Sequence, residues 1–145
     1  VLVLVAPGQG AQTPGFLTPW LDLPGAADRI AAWSDAIGLD LAHYGTQADA
    51  DEIRDTAVAQ PLLVAAGLLS AAALDAPSPD VVAGHSVGEI TAAAIAGVIG
   101  DEAALRFVRT RGSAWPRPPR SPRPVWRPCS AATPPSRSRT WRSSA

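Results

Sequence analysis

A serine flanked by glycines, at the junction of a β-branched run and an alanine-rich run, restricts this chain more than any other feature. Val81-Val82-Ala83 ends at Gly84, Ser86 follows, and Gly88-Glu89 leads into the run Ile90 to Ile99. Strand, sharp turn and helix in that order form the pattern of a nucleophile elbow, Gly84-x-Ser86-x-Gly88. The turn leaves little room for a Cβ on either side of the serine, because neighbouring chains approach closely. Ser86 is expected at the tip with its hydroxyl exposed. The backbone N–H of Val87 is expected to point from the helix N-terminus toward a developing oxyanion. A bare G-x-S-x-G match is weakly specific, and it is the flanking strand and helix that turn the reading toward a catalytic serine.

The other runs fit an α/β fold with a parallel sheet. Val1 to Ala6 is a continuous apolar run, the mark of a strand buried on both faces, and Pro7 stops it. Gly8-Gln9-Gly10-Ala11-Gln12 then forms a loop at that strand's carboxyl end, where active-site loops of open α/β sheets gather. It lacks the spaced third glycine and the Lys-Ser/Thr pair of a phosphate-binding loop. Thr13 to Gly25 reads as an irregular connection with a short helical turn. Ala26 to Ile37 has Ile30, Trp33 and Ile37 at helical spacing and ends at Gly38. Asp49 to Asp55 is an acidic turn, most simply a solvated face. Gln60 to Leu74 predicts a helix with Pro61 in its first turn, apolar all round and so buried against the sheet. Ala76 to Asp80 links it to the elbow strand. Asp101 predicts an N-cap for a helix through Arg111, with Leu105 and Val108 inward and Gly112 at its end.

After Gly112 the character changes. The chain of 145 residues is nearly neutral in total, yet every acid lies between Asp22 and Glu102. The segment 113–145 has seven arginines, no acid and prolines from Pro116 to Pro135, a pattern that predicts disorder or extended polyproline and no helix. The single cysteine, Cys129, excludes an intramolecular disulfide and a zinc framework, and no metal is expected. No signal peptide or membrane-length apolar run is visible, so the expectation is a cytoplasmic protein with no membrane partner. With no methionine present, Val1 is either a start codon read literally or an internal cut.

With elbow, first loop and last helix in view, the chain resembles the malonyl-CoA:acyl carrier protein transacylases. Val5-Ala6-Pro7-Gly8-Gln9-Gly10-Ala11-Gln12 is similar to the family's opening Pro-Gly-Gln-Gly-Ser/Ala-Gln. Gln60-Pro61-Leu62-Leu63 resembles its Gln-Pro-Ala-Leu helix start, and Ala83 to Glu89 its Gly-His-Ser-Leu/Val-Gly-Glu elbow. Arg111-Gly112 falls where the family has an Arg-Gly pair. The resemblance spans Val1 to Gly112. It implies that Ser86 takes the acyl group from malonyl-CoA as an ester and passes it to the phosphopantetheine thiol of acyl carrier protein, splitting one transfer into two easier steps. It implies that Gln12 and the Val87 N–H support the oxyanion, that Arg111 grips the free carboxylate of malonate, and that Gln60 orders the pocket. Taken alone, Arg111 reads as a surface cation and Gln12 as a loop amide. The implied partners are malonyl-CoA and acyl carrier protein, with no resident cofactor, no nucleic acid and a monomeric state.

The match fails at the base. A serine nucleophile needs one within hydrogen-bond reach, and the family's histidine lies downstream of the resemblance, as does its ferredoxin-like subdomain. The two histidines present are His85, expected to be a packed structural residue turned away from Ser86, and His43, expected on the surface of a connecting segment. The expected fold is therefore a partial, α/β-hydrolase-like acyltransferase core over residues 1–112, followed by a disordered tail.

The tail fits frame-shifted translation of a GC-rich gene. Ala114-Trp115-Pro116 is GCN-TGG-CCN, and where the Ala114 codon ends in A an offset reading gives Met-Ala, the family having a methionine three residues beyond its Arg-Gly pair. Val125 to Ser130, at the same offset, can yield an ordinary apolar strand. The competing reading is a real basic, tryptophan-dotted tail that binds nucleic acid, anionic membrane or an SH3 domain through P-x-x-P. Three function classes follow: a malonyl transferase of fatty acid biosynthesis or of a polyketide synthase, a non-catalytic binding fragment, and a serine hydrolase. The motif's closeness to Val1 favours a free-standing enzyme over a polyketide synthase unit.

Overall fold

The computed structural model describes residues 1–74 and 78–114. Two short strands, β1 (Val3–Ala6) and β2 (Val81–Gly84), pair in parallel with Val3 opposite Val81 and Ala6 opposite Gly84. The parallel pairing needs a long crossover, which here is a helical layer. It contains α1 (Thr18–Leu21), α2 (Ala26–Ile37), α3 (Leu41–Thr46), a 3-10 turn (Glu52–Arg54) and α4 (Thr56–Ala73). After β2 come α5 (Gly88–Ile95) and α6 (Asp101–Ala114).

The strand expected to be buried on both faces is buried on one. Ala6 is buried, whereas Val3 and Val5 are 51% and 68% exposed. The physical reason is alternation. Successive side chains point to opposite faces, and among the described residues the helices cover only the side bearing Ala6.

α2 has the bounds its periodicity predicts. Its Ile30 and Trp33 are buried, and Gly38, in the left-handed region at φ 60, closes it. α3 was not foreseen. Asp40 starts it by accepting a hydrogen bond from the backbone N–H of His43, at 2.9 Å, and His43 is exposed on it, as expected.

α4 begins four residues before the expected Gln60, because Asp55 caps it by accepting from the Ala57 N–H at 2.9 Å. The acidic turn before it is therefore more than a solvated face: Asp55 is a cap and Ile53 is buried. Pro61 consequently lies inside the helix rather than in its first turn. Leu62, Val64, Leu68 and Leu69 are buried, each contributing about 1.5–3 kcal/mol of apolar burial. The neighbours that cover α4 are mainly α6 and α5 rather than the sheet. α4 is the one helix among the described residues long and apolar enough to cross a membrane, and most of it is buried in this core.

α5 ends at Ile95, short of the expected Ile99, where Gly97 turns into the left-handed region. In α6, Leu105 and Val108 are fully buried as predicted. Two details differ. Asp101 is the first helical residue and pairs with Arg29 at 2.7 Å instead of capping the helix. Gly112 lies within the helix, because α6 and the start of α4 approach so closely there that a Cβ would be 2.8 Å from Thr56 O. The helix runs through Ser113 and Ala114, two residues into the segment expected to have none. The expected tail disorder at 115–145 and residues 76–77 of the link lie outside the described residues.

Candidate active site

The elbow has the geometry that its glycines imply. A Cβ on Gly84 would overlap the carbonyl group of Gly88, and a Cβ on Gly88 would overlap Ala6 O. Strand, turn and helix thus meet at backbone contact. Ser86 is the one non-glycine among the described residues with positive φ, at 56°. It is held there by the β2–β1 pairing behind it, where the His85 N–H donates to Ala6 O at 3.2 Å, and by α5 ahead of it, where the Glu89 N–H donates to Ser86 O at 3.1 Å. The side chain is exposed, as expected of an elbow serine.

A left-handed serine costs roughly 1–2 kcal/mol. Glycine at this position would remove that strain and lose about 0.4–1 kcal/mol through a freer unfolded chain. Ser86→Gly is therefore expected to be more stable than Ser86→Ala, which keeps the strain, by about 0.5–1 kcal/mol in urea unfolding. Equal stability would mean that the elbow is unstrained.

Two residues from distant helices converge on this serine. The Arg111 guanidinium, on α6, donates through Nη2 to Ser86 Oγ at 3.3 Å and through Nη1 to Gln60 Oε1 at 2.7 Å. Gln60, on α4, is buried, so its amide orients one arm of the fork while the other reaches the nucleophile. The predicted Ser86, Gln60 and Arg111 therefore form one cluster. Gln12 is not part of it. Its Nε2 donates to Ile53 O at 3.2 Å and its Oε1 accepts from the Gly10 N–H at 2.8 Å, which fastens the first loop to the turn before α4. The loop meets the elbow instead at Gly8, where a Cβ would be 2.7 Å from His85 Nδ1. Val87 itself is buried, and its backbone leads into α5.

His85 is exposed rather than packed away, lying against Gly8 at the surface of the elbow. The hydrogen-bond partner of Ser86 Oγ among the described residues is Arg111. A guanidinium has no acceptor site, so it cannot take the serine proton. It can hold an anion and favour negative charge on Oγ.

Residues 3–117 match the acyl transferase domain family. The malonyl CoA-acyl carrier protein transacylase of Mycobacterium tuberculosis is 58% identical over 118 residues, covering 78% of this chain and 39% of that protein. The crystal structure of the transacylase from M. tuberculosis superposes with a TM-score of 0.73 at 60% identity, over 77% of this chain and 38% of that one. A malonyl-transacylase solved in complex with its type II polyketide acyl-carrier protein gives 0.69 at 35% identity, over 77% and 37%. The chain thus spans about two fifths of the relatives it matches. With the family's elbow, its opening loop and its Arg-Gly helix in one piece of α/β fold, the chain belongs to the acyl transferase domain family, among the malonyl-CoA:acyl carrier protein transacylases.

Proposed function

We propose that this chain carries the nucleophile and the carboxylate anchor of a malonyl transfer from malonyl-CoA to the phosphopantetheine thiol of acyl carrier protein. The observation that supports this reading best is the double contact of Arg111 with Ser86 Oγ and Gln60 Oε1. A guanidinium fork held by a buried amide, one reach from an exposed nucleophile, suits an acyl group with a second, free carboxylate. Ser86 Oγ attacks the thioester carbonyl, the C–S bond breaks, and coenzyme A leaves as the thiol with the serine proton. The carrier thiol then attacks the ester, the C–O bond breaks, and Ser86 regains its proton. This reading assigns the oxyanion of each step to the Val87 N–H at the start of α5, while Gln12 is held by Ile53 O and the Gly10 N–H and fastens the first loop. A cytoplasmic, monomeric protein of fatty acid biosynthesis is the setting this reading implies. The polyketide alternative draws support from the relative solved with a type II carrier protein.

The test is acid-quenched labelling with radioactive malonyl-CoA. Label is expected on Ser86 and is expected to move to added carrier protein very slowly, because Ser86 Oγ contacts a cation rather than a base. Label released to water supports a hydrolase, and absence of label supports an inert binding fragment. Turnover near that of a full-length family enzyme would overturn the expectation.

A further inference from the structure

Pro61 leaves a gap that a second arginine fills. Inside an α-helix, a proline withholds the N–H that would bond the carbonyl four residues back and pushes that carbonyl outward. The carbonyl concerned is that of Ala57, at the start of α4. Pro61 is fully buried, so water is a poor substitute at this position. Arg109, on α6, donates from Nη1 to Ala57 O at 2.8 Å. The same seam brings Gly112 against Thr56 and Ala57, and Gln60, which orients Arg111, is the residue before Pro61.

We propose that Arg109 is a positioning residue, its guanidinium replacing the hydrogen-bond donor that Pro61 lacks and thereby fixing the first turns of α4, with Gln60, for Arg111. The role rests on the malonyl-transfer reading only for what Gln60 and Arg111 do together. The contact itself is a charged donor on a buried carbonyl, one of the stronger hydrogen bonds a fold can make.

The prediction is a thermodynamic cycle on the full chain, using Arg109→Ala, Pro61→Ala and the double variant. Arg109→Ala is expected to lower the midpoint of thermal unfolding by on the order of 5–10 °C. In the Pro61→Ala background the same change is expected to shift it by under about 2 °C, since alanine there donates its own N–H to Ala57 O. The guanidinium NMR signals of Arg111 report the positioning role: they are expected to lose their dispersion in Arg109→Ala and to regain it in the double variant. Should Arg109→Ala fail to fold, a folded double variant supports the proposal and an unfolded one overturns it. An equal loss in both backgrounds, or Arg111 signals indifferent to Arg109, also overturns it. No readout needs acyl transfer, so failure of the malonyl reading and failure of this proposal are separable.

Discussion

Gly88→Ala is expected to destabilise the chain by at least about 3 kcal/mol and to lower the midpoint of its urea unfolding accordingly. The added methyl would overlap Ala6 O and lie 2.6 Å from Pro7 O. Both obstructing atoms are backbone, so no rotamer change clears them. Either the carboxyl end of β1 or the first turn of α5 must move. β1 is tied in register to β2, and α5 is buried at Ile90, Thr91 and Ala92, so movement of either disturbs the core. Overpacking that side chains can absorb costs about 1–3 kcal/mol, and here the backbone must yield as well. A domain of this size has on the order of 5–15 kcal/mol in all. The internal control is Gly100→Ala, where a Cβ meets nothing within 4 Å, and which is expected to cost under about 1 kcal/mol. Urea unfolding followed by circular dichroism distinguishes the two. Similar midpoints would mean that the elbow is looser than its geometry indicates.

The contrast between those two glycines shows what could be read from the amino-acid order. The elbow was legible because its requirement is local: a turn this tight admits only glycine at two fixed offsets from the serine. α2 was legible for the same kind of reason, with Ile30 and Trp33 on one face and Gly38 at its end. The start of α4 was misplaced because Pro61 is usually a first-turn residue. What permits it inside the helix is Arg109, which lies 52 residues away from Ala57 and carries no local signal. α3 is only six residues long and contains Gly45, so periodicity had too little to work on. Its cap, Asp40, is identified by the hydrogen bond that it accepts from the His43 N–H. The one-sided burial of β1 was hidden because an apolar run does not reveal which of its faces is covered. At the site, Ser86, Gln60 and Arg111 were each named from motifs, but their convergence depends on α6 packing against α4. The tether of Gln12 to Ile53 is likewise a long-range contact between two loops, which spacing alone does not predict.

That packing makes Arg111 the residue with the most to lose. Arg111→Ala is expected to reduce malonyl labelling of Ser86 by about 30-fold to several thousand-fold, the range for losing a partly desolvated, hydrogen-bonded charge partner of 2–5 kcal/mol. Arg111→Lys is expected to recover only part of this. An ammonium can attract the malonyl carboxylate, but it is a point charge and cannot keep Gln60 Oε1 in one arm while offering the other to the ligand. The discriminating comparison is an acetyl donor, which has no second carboxylate. If Arg111 is the anchor, Arg111→Ala weakens malonyl labelling selectively and changes acetyl labelling by less than about tenfold. If instead the 3.3 Å contact with Oγ matters chiefly through the charge of the nucleophile, both donors suffer equally. Retention of malonyl labelling in Arg111→Ala would remove the carboxylate anchor from the reading altogether. Gln60→Leu refines the same point: burial prevents water from replacing the amide, so the fork loses its orienting contact while keeping its charge. Its malonyl preference is therefore expected to fall between those of the parent chain and Arg111→Ala.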